Sequence, residues 1–118
     1  MAPCRIQIEE HRDIAIIKLS GSLTNADVES VLNACKQALG KEFHKIIMDV
    51  LDLAHVDLDG LSAIISSYIH STNAEARFVL WNPQEDLSGH LVKTKLDTII
   101  PKVSGELSAA LAMVNDTK

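Results

Sequence analysis

The segment Asp57–Leu61, which reads Asp-Leu-Asp-Gly-Leu, places two carboxylates beside a glycine and is the first candidate for chemistry in this chain. Alternating acids before a glycine form part of a calcium-binding loop. That loop also needs an acid two residues before Asp57 and a bidentate acid at position 66. His55 and Ser66 occupy those two positions. We therefore expect no calcium site here.

The histidines and serines are also poorly arranged for chemistry. No two histidines are four residues apart and none clusters with a cysteine, so metal ligation is not expected; they are His11, His44, His55, His70 and His90. Ser66 and His70 can meet on one helical face, but no orienting acid or oxyanion-binding segment accompanies them. Phosphate-binding glycine loops do not occur in the sequence. The sequence predicts a protein that is not an enzyme and binds no metal or cofactor.

The acidic segment itself has two interpretations. Asp57 can cap a helix that begins at this point, and the carboxylate of Asp59 is favourable at the positive end of the helix dipole. Alternatively, the segment meets another protein. Partner sites in sheets with crossover helices gather beyond the carboxyl ends of the strands, which is where this segment is expected to lie.

Apolar patterning predicts the strands that hold this segment. Ile6 and Ile8 alternate with polar residues, and a second apolar run from Ile14 to Leu19 ends at Gly21, which together predict an N-terminal β-hairpin. The apolar run from Lys45 to Leu53 predicts a central strand buried on both faces. Two shorter strands are predicted, at Arg77–Trp81 and Ile99–Pro101.

Two helices flank the central strand in the predicted order. The first begins near Thr24, which has Asp27 three residues later as in a capping box, and it stops at Gly40, which can adopt a left-handed conformation. The second follows a turn from His55 to Gly60. Apolar residues at helical spacing predict the buried faces, which are Val28, Val31, Leu32, Cys35 and Leu39 in the first helix and Leu61, Ile64, Ile65, Tyr68 and Ile69 in the second.

Two further helices complete an α/β fold. Asn82 and Pro83 provide a cap and a first helical residue for the third helix, and Ser104 caps the fourth. Their predicted buried residues are Leu87, Leu91 and Val92, then Leu107, Leu111 and Val114. The order predicts a mixed sheet of four to five strands with an N-terminal β-hairpin and about four helices. We expect residues 1–118 to form a single domain with a frayed end from Asn115 to Lys118.

Composition excludes several classes of partner. The 118 residues are 47% hydrophobic and carry a net charge of −5 with acids and bases interspersed, so no basic stripe is available for nucleic acid. No apolar run approaches the roughly 20 residues of a membrane helix. We expect a cytoplasmic protein that neither binds nucleic acid nor inserts into a membrane. Cys4 and Cys35 form no disulfide framework, and Cys35 is expected to be a small buried apolar residue.

The run IMDVLDLAHVDLDGL, from Ile47 to Leu61, resembles the central segment of STAS domains, the family of the bacterial anti-sigma-factor antagonists. In that family an aspartate ending the central strand is followed eight positions later by the aspartate of a D-S-[ST]-G-L turn. Asp49 and Asp57 keep this interval. The resemblance covers nearly the whole chain, since the closing helix and two short motifs fall where the family has equivalents: Gly21-Ser22-Leu23 and Asn82-Pro83.

This resemblance implies a phospho-switch. In the antagonists a serine or threonine just before the glycine is phosphorylated by a kinase-type anti-sigma factor, and only the unphosphorylated form captures that factor. A phosphate at a helix N-terminus meets free backbone amides, and its charge can make a docking surface repulsive. In this chain Leu58 and Asp59 hold the two hydroxyl positions, so a carboxylate stands at the acceptor position. Thr24 is a second departure, since many antagonists have an aspartate there.

The resemblance therefore implies a single STAS-like domain that is a non-enzymatic protein-interaction module of bacterial regulation. The implied partner is a kinase-type anti-sigma factor, and Asp59 is expected to fix a phosphorylated-like state. The expected partner surface is the loop Gly21–Asn25 and the exposed side of the second helix, with contact residues Thr24, Asn25, Asp57, Leu58, Asp59, Gly60 and Leu61. Because the usual hydroxyls are replaced, the alternative is an accessory or scaffold subunit of a lipid transporter or stress-signalling complex. The oligomeric state is left open.

Overall fold

A hairpin forms one edge of the sheet in the computed structural model, which describes residues 4–41 and 43–115. β1 (Arg5–His11) runs antiparallel to β2 (Ile14–Leu23), so the predicted hairpin is confirmed. β2 does not end at Gly21 as predicted. A register shift after Gly21, whose φ of 90° suits glycine, lets the strand bulge and continue pairing to Leu23.

The remaining strands run parallel to β2. β3 (Lys45–Val56) lies between β2 and β4 (Arg77–Trp81), and β5 (Lys102–Val103) completes a sheet with the order β1-β2-β3-β4-β5. Residues 46–50 of β3 are buried as predicted for the central strand, but Leu51, 50% exposed, and Asp52 are not, because pairing with β4 ends at Asp49. β3 extends three residues further than predicted, and beyond Asp49 it pairs with β2 alone.

Helices cover both faces of the sheet. A short 3₁₀ helix (Asn25–Asp27) leads into α1 (Val28–Gly40), which packs with α2 (Leu58–Asn73) and α3 (Glu85–Lys93) on one face. α4 (Leu107–Asn115) packs alone on the opposite face. Side chains of β3 alternate between the two faces, since Met48 joins the larger core and Ile47 the smaller one. The predicted mixed α/β fold, with four to five strands and about four helices, is confirmed, with five strands and four α-helices observed.

Two predicted helix boundaries are wrong because the residues expected to cap the helices do not adopt a capping conformation. Gly40 has no left-handed conformation, since α1 closes through hydrogen bonds from the Lys41 N–H to the carbonyls of Gln37 and Ala38. Asn82 does not cap α3. It has a φ of 60° and its side-chain oxygen accepts a hydrogen bond from the Gly105 N–H at 2.9 Å. α3 consequently begins later, at Glu85.

The C-terminal boundaries differ in the same way. Ile99 and Ile100 are not in a strand, because their N–H groups both donate to the Leu96 carbonyl in a turn. β5 therefore begins three residues later than predicted, at Lys102. Ser104 does not cap α4, which begins at Leu107 and includes Asn115. The rest of the predicted frayed end, residues 116–118, lies outside the described residues.

The buried helix faces are narrower than the apolar patterns predicted. Ile69 is 48% exposed, Val92 60% and Leu107 37%. Ile69 and Val92 lie on the sides of their helices that turn away from the sheet. Leu107 instead borders a cavity beside Ile16 and Trp81 of the sheet, at the first turn of α4. The other predicted faces are buried or half-buried against the core.

Truncating the buried centre tests this packing. Ile17 is fully buried between β1 and β3, so Ile17→Ala should lower the free energy of unfolding by about 2–5 kcal/mol through lost contacts and a residual cavity. The exposed Val92→Ala variant is the control and should stay within about 0.5 kcal/mol of the parent. Urea unfolding followed by circular dichroism measures both. Equal losses in the two variants would contradict the assigned core.

Candidate functional site

Asp57 joins β3 to α2 and caps the helix. β3 ends at Val56 and α2 begins at Leu58, so the predicted turn from His55 to Gly60 is instead the end of the strand followed directly by the first helical turn. The carboxylate Oδ1 of Asp57 accepts a hydrogen bond from the Gly60 N–H at 2.7 Å. This bond satisfies an amide that the helix N-terminus would leave unpaired. The capping interpretation of Asp57 is therefore correct.

Gly60 lies where α2 comes closest to the end of β2. A Cβ at this position would overlap the Leu23 carbonyl oxygen and lie 2.8 Å from the carbonyl carbon, so only glycine fits. The Asp57 N–H donates to the same Leu23 oxygen at 3.2 Å. Leu61, the next residue, is 2% exposed and packs in the main core. Gly60 and Leu61 therefore dock the first turn of α2 on the sheet.

Leu58 and Asp59 are the two side chains of this turn that face outward. Leu58 is 68% exposed, the largest value among the exposed large apolar residues described, and Asp59 is exposed beside it. Their N–H groups belong to the first turn of α2, where helix geometry provides no intrahelical acceptor. The turn thus presents one apolar and one anionic side chain at the positive end of a helix dipole.

The predicted loop from Gly21 to Asn25 lies next to this turn. Gly21, Ser22 and Leu23 belong to β2, and Thr24 is the N-cap residue of the 3₁₀ helix that begins at Asn25. The Asp27 carboxylate accepts hydrogen bonds from the Thr24 N–H at 3.2 Å and from the Thr24 hydroxyl at 3.3 Å. Because Leu23 contacts Gly60, the half-buried Thr24 and the exposed Asn25 flank the first turn of α2. The structure therefore brings the two predicted parts of the surface together.

Asp49 lies elsewhere and does not end its strand. It sits within β3, is only 8% exposed, and its Oδ1 accepts a hydrogen bond from the Leu51 N–H at 3.1 Å. Eight residues of extended strand separate it from Asp57 by roughly 25 Å, so the two carboxylates form no common site. Pairing with β4 ends at Asp49, although pairing with β2 continues. The eight-residue interval between them spans the extension of β3 beyond Asp49.

Comparison with known proteins assigns this arrangement to a family. The STAS domain family matches residues 5–110. The chain belongs to the STAS domain family.

Solved STAS structures share the fold. An anti-sigma factor antagonist from Mycobacterium paratuberculosis matches with a TM-score of 0.84 and 17% identity, covering 97% of this chain and 96% of that one. A serine-to-glutamate variant of RsbS from Moorella thermoacetica gives 0.80 and 16%, covering 95% and 96%. Phosphorylated SpoIIAA from Bacillus gives 0.76 and 19%, covering 94% and 100%. At these identities the likeness establishes the fold alone.

Asp86 supports the STAS turn and was not found by sequence reasoning. Its Oδ2 accepts a hydrogen bond from the Val56 N–H at 2.9 Å and lies 3.2 Å from His55 Nδ1. Asp86 thereby provides an acceptor for the last N–H of β3, beyond the point at which β4 stops pairing with β3. The thirty-residue separation between Val56 and Asp86 leaves no local pattern that could have revealed this contact.

The remaining candidate groups of the STAS domain form no catalytic cluster. Ser66 and His70 are one turn apart in α2, but no hydrogen bond joins them. Across residues 4–41 and 43–115, no three His, Cys, Asp or Glu side chains approach closely enough to hold a metal ion. In the same ranges no helix has the length and apolarity needed to cross a bilayer.

Both thiols lie in surroundings that disfavour the thiolate. Cys35 is buried, which raises its pKa; its Sγ lies 3.7 Å from both the Ser71 hydroxyl and the Ser67 carbonyl oxygen. Cys4 is half-buried, and burial, followed by the charge of Asp27, raises its pKa to about 11. The expected burial of Cys35 is confirmed.

Glycine substitutions test the close approach at the site. Gly60→Ala should destabilise the domain by about 3 kcal/mol or more, since backbone cannot move away as a side chain can. Gly89→Ala is the matched control, because Gly89 lies inside α3 with nothing within 4 Å of the added carbon. It should stabilise the domain by about 0.5–1 kcal/mol. Opposite shifts in urea midpoint are expected, and a neutral Gly60→Ala variant would contradict the close approach.

Alkylation kinetics test the thiol environments. At pH 8 roughly one Cys4 thiol in a thousand is ionised when its pKa is about 11, so iodoacetamide should modify it at least about 100-fold more slowly than free cysteine. The rate should rise about tenfold per pH unit from pH 8 towards 10. Peptide mass spectrometry over a time course measures it. A rate at pH 8 equal to that of an unfolded peptide would refute the raised pKa.

Proposed function

We propose that this STAS domain is a non-enzymatic regulatory module that binds a protein partner through the first turn of α2 and the adjoining residues Thr24 and Asn25. Its partner is a kinase-type anti-sigma factor, and Asp59 supplies a permanent negative charge at the position where the antagonists carry a phosphate. The domain thereby resembles a phosphorylated antagonist that no phosphatase can reset.

The proposal rests on the difference between the inward-facing and the outward-facing residues of Asp57–Leu61. Asp57 caps α2, Gly60 fits against Leu23, and Leu61 fills the core, so these three residues are used by the fold. Leu58 and Asp59 face outward and contribute little to folding. A leucine that is 68% exposed gains free energy when a partner covers it, and Asp59 provides the charge that selects the partner.

Two similar proteins have been solved in forms that differ in charge, which is consistent with a regulatory role for charge in this family. SpoIIAA, an anti-sigma factor antagonist, has been solved in unphosphorylated and phosphorylated forms, and the RsbS structure carries glutamate in place of a serine. Asp59 carries one negative charge, whereas a phosphoserine carries nearly two and has more acceptor oxygens. We therefore expect Asp59 to weaken binding to a kinase-type partner without abolishing it.

Two substitutions at the turn should shift partner affinity in opposite directions. Proteins retained from source-cell extract by the immobilised domain are identified and purified, and calorimetry then measures Kd. Leu58→Ala should raise Kd about tenfold or more, since a buried leucine contributes about 1.5–3 kcal/mol. Asp59→Ser should lower Kd for a kinase-type partner by about tenfold through relief of charge repulsion. It should also create a hydroxyl that this partner phosphorylates with ATP.

The control and the outcomes separate the possible roles. Val92→Ala removes an equally exposed apolar side chain from α3 and should leave Kd unchanged. If Kd is unchanged in both turn variants, the domain does not bind its partner here. Recovery of transporter subunits whose binding depends on Leu58 would establish the accessory role instead of sigma-factor control.

A further inference from the structure

The side of α2 that faces away from the sheet carries an apolar row and a polar row. Helical residues seven and eleven apart share a side of the helix. The apolar row is Leu58, Ile65 and Ile69, and the polar row is Asp59, Ser66 and His70. Leu58 is 68% and Ile69 48% exposed, and the exposed Ser62 lies between the rows. Ile65 is partly buried against the main core, whereas Leu58, Asp59, Ser62 and Ile69 are exposed. The outer part of this face therefore has the composition of an interface and is not covered by the described residues.

The two rows become complementary to themselves when a second α2 is placed antiparallel to the first. Two-fold symmetry about a point level with Ile64 sets each residue opposite one residue of the second copy. In this register Ser62 lies level with Ser66 of the second copy. Leu58 and Asp59 come within one residue step, about 1.5 Å along the axis, of Ile69 and His70 of the second copy, each on its own side of the helix. Apolar, small and charged positions all match at once.

Each of these contacts is chemically favourable. In such a pair the Asp59 carboxylate would accept a hydrogen bond from the imidazole N–H of His70 in the second copy, and the two-fold symmetry would make this contact twice. In the apolar row, Leu58 of one copy and Ile69 of the other would exclude water from their contact. Ser62 and Ser66 are small enough for the two helix axes to approach closely at the centre. The opposed helix dipoles also attract each other.

We propose that a second copy of this chain docks on this face, forming an antiparallel α2–α2 pair. The 16-residue helix is about 24 Å long, so one helical face buries less than the roughly 1,200–2,000 Å² of stable complexes. The dimer accordingly belongs to the class of weak, transient complexes. Because it covers Leu58 and Asp59, self-association competes with partner binding. This last consequence alone rests on the proposed function.

A charge swap tests the pairing in the full chain. Sedimentation equilibrium from 5 to about 500 μM measures the association constant. Asp59→Lys and His70→Glu should each lower it at least about tenfold, and the double variant should restore it to within about threefold. Asp59 and His70 are about 16 Å apart along one helix, so they cannot pair within a single chain. Restoration therefore requires a second copy.

The thermal stability of the monomer should fall in the double variant, so a change in stability cannot explain a restored association constant. Lysine near the start of α2 and glutamate near its end both oppose the helix dipole, so the double variant should melt below either single variant. Leu58→Ala and Ile69→Ala should weaken the dimer equally, because each removes the same two contacts, while Val92→Ala should have no effect. A monomer throughout the range, a dimer insensitive to these changes, or single losses without rescue would each overturn the proposal. Partner affinity is measured at about 1 μM domain, where the chain is monomeric, so either proposal can fail independently.

Discussion

The backbone of Leu23 is the point on which the arrangement of the site depends. Its carbonyl oxygen receives the Asp57 N–H at 3.2 Å and leaves no room for a β-carbon on Gly60. This contact joins the end of β2 to the start of α2, and so places Thr24 and Asn25 beside the first helical turn. A larger residue at position 60 would push α2 away from the sheet and separate the two halves of the surface. The close approach thus sets both the packing of α2 and the composition of the site.

The same constraint explains why the short acidic segment has two separate roles. Residues on the inner side of the first turn are held by the cap, the backbone contact and the core, and their types follow from those tasks. Residues on the outer side have no such task, so their types can follow from what the domain binds. Packing does not require a particular residue type at position 59, so the carboxylate of Asp59 is not explained by folding. Under the proposed function, this carboxylate is what distinguishes the chain from a STAS domain that is switched by phosphorylation.

Much of the fold could be predicted because it depends on local pattern. Alternation in the hairpin, the apolar run of the central strand and helical spacing in α2 each identify an element from neighbouring residues. The predicted ends of helices and strands were wrong where a residue distant in sequence determines them. Asn82 has the residue type of a helix cap, but its side-chain oxygen accepts a hydrogen bond from the Gly105 N–H instead. β3 continues beyond its apolar run because Asp86 accepts a hydrogen bond from the Val56 N–H. At the site, capping by Asp57 could be predicted, whereas the reason for Gly60 depends on Leu23, which is 37 residues earlier.

Hydrogen–deuterium exchange of the domain with and without its captured partner tests the central claim most directly. If the first turn of α2 is the docking surface, the amides of Leu58 and Asp59, which lack intrahelical acceptors, should become protected on binding, together with those of Thr24 and Asn25. Amides at the exposed end of α3, near Val92, should exchange at an unchanged rate. Protection confined to α3, or to the outer edge of β1, with no change at Leu58 and Asp59, would contradict the account.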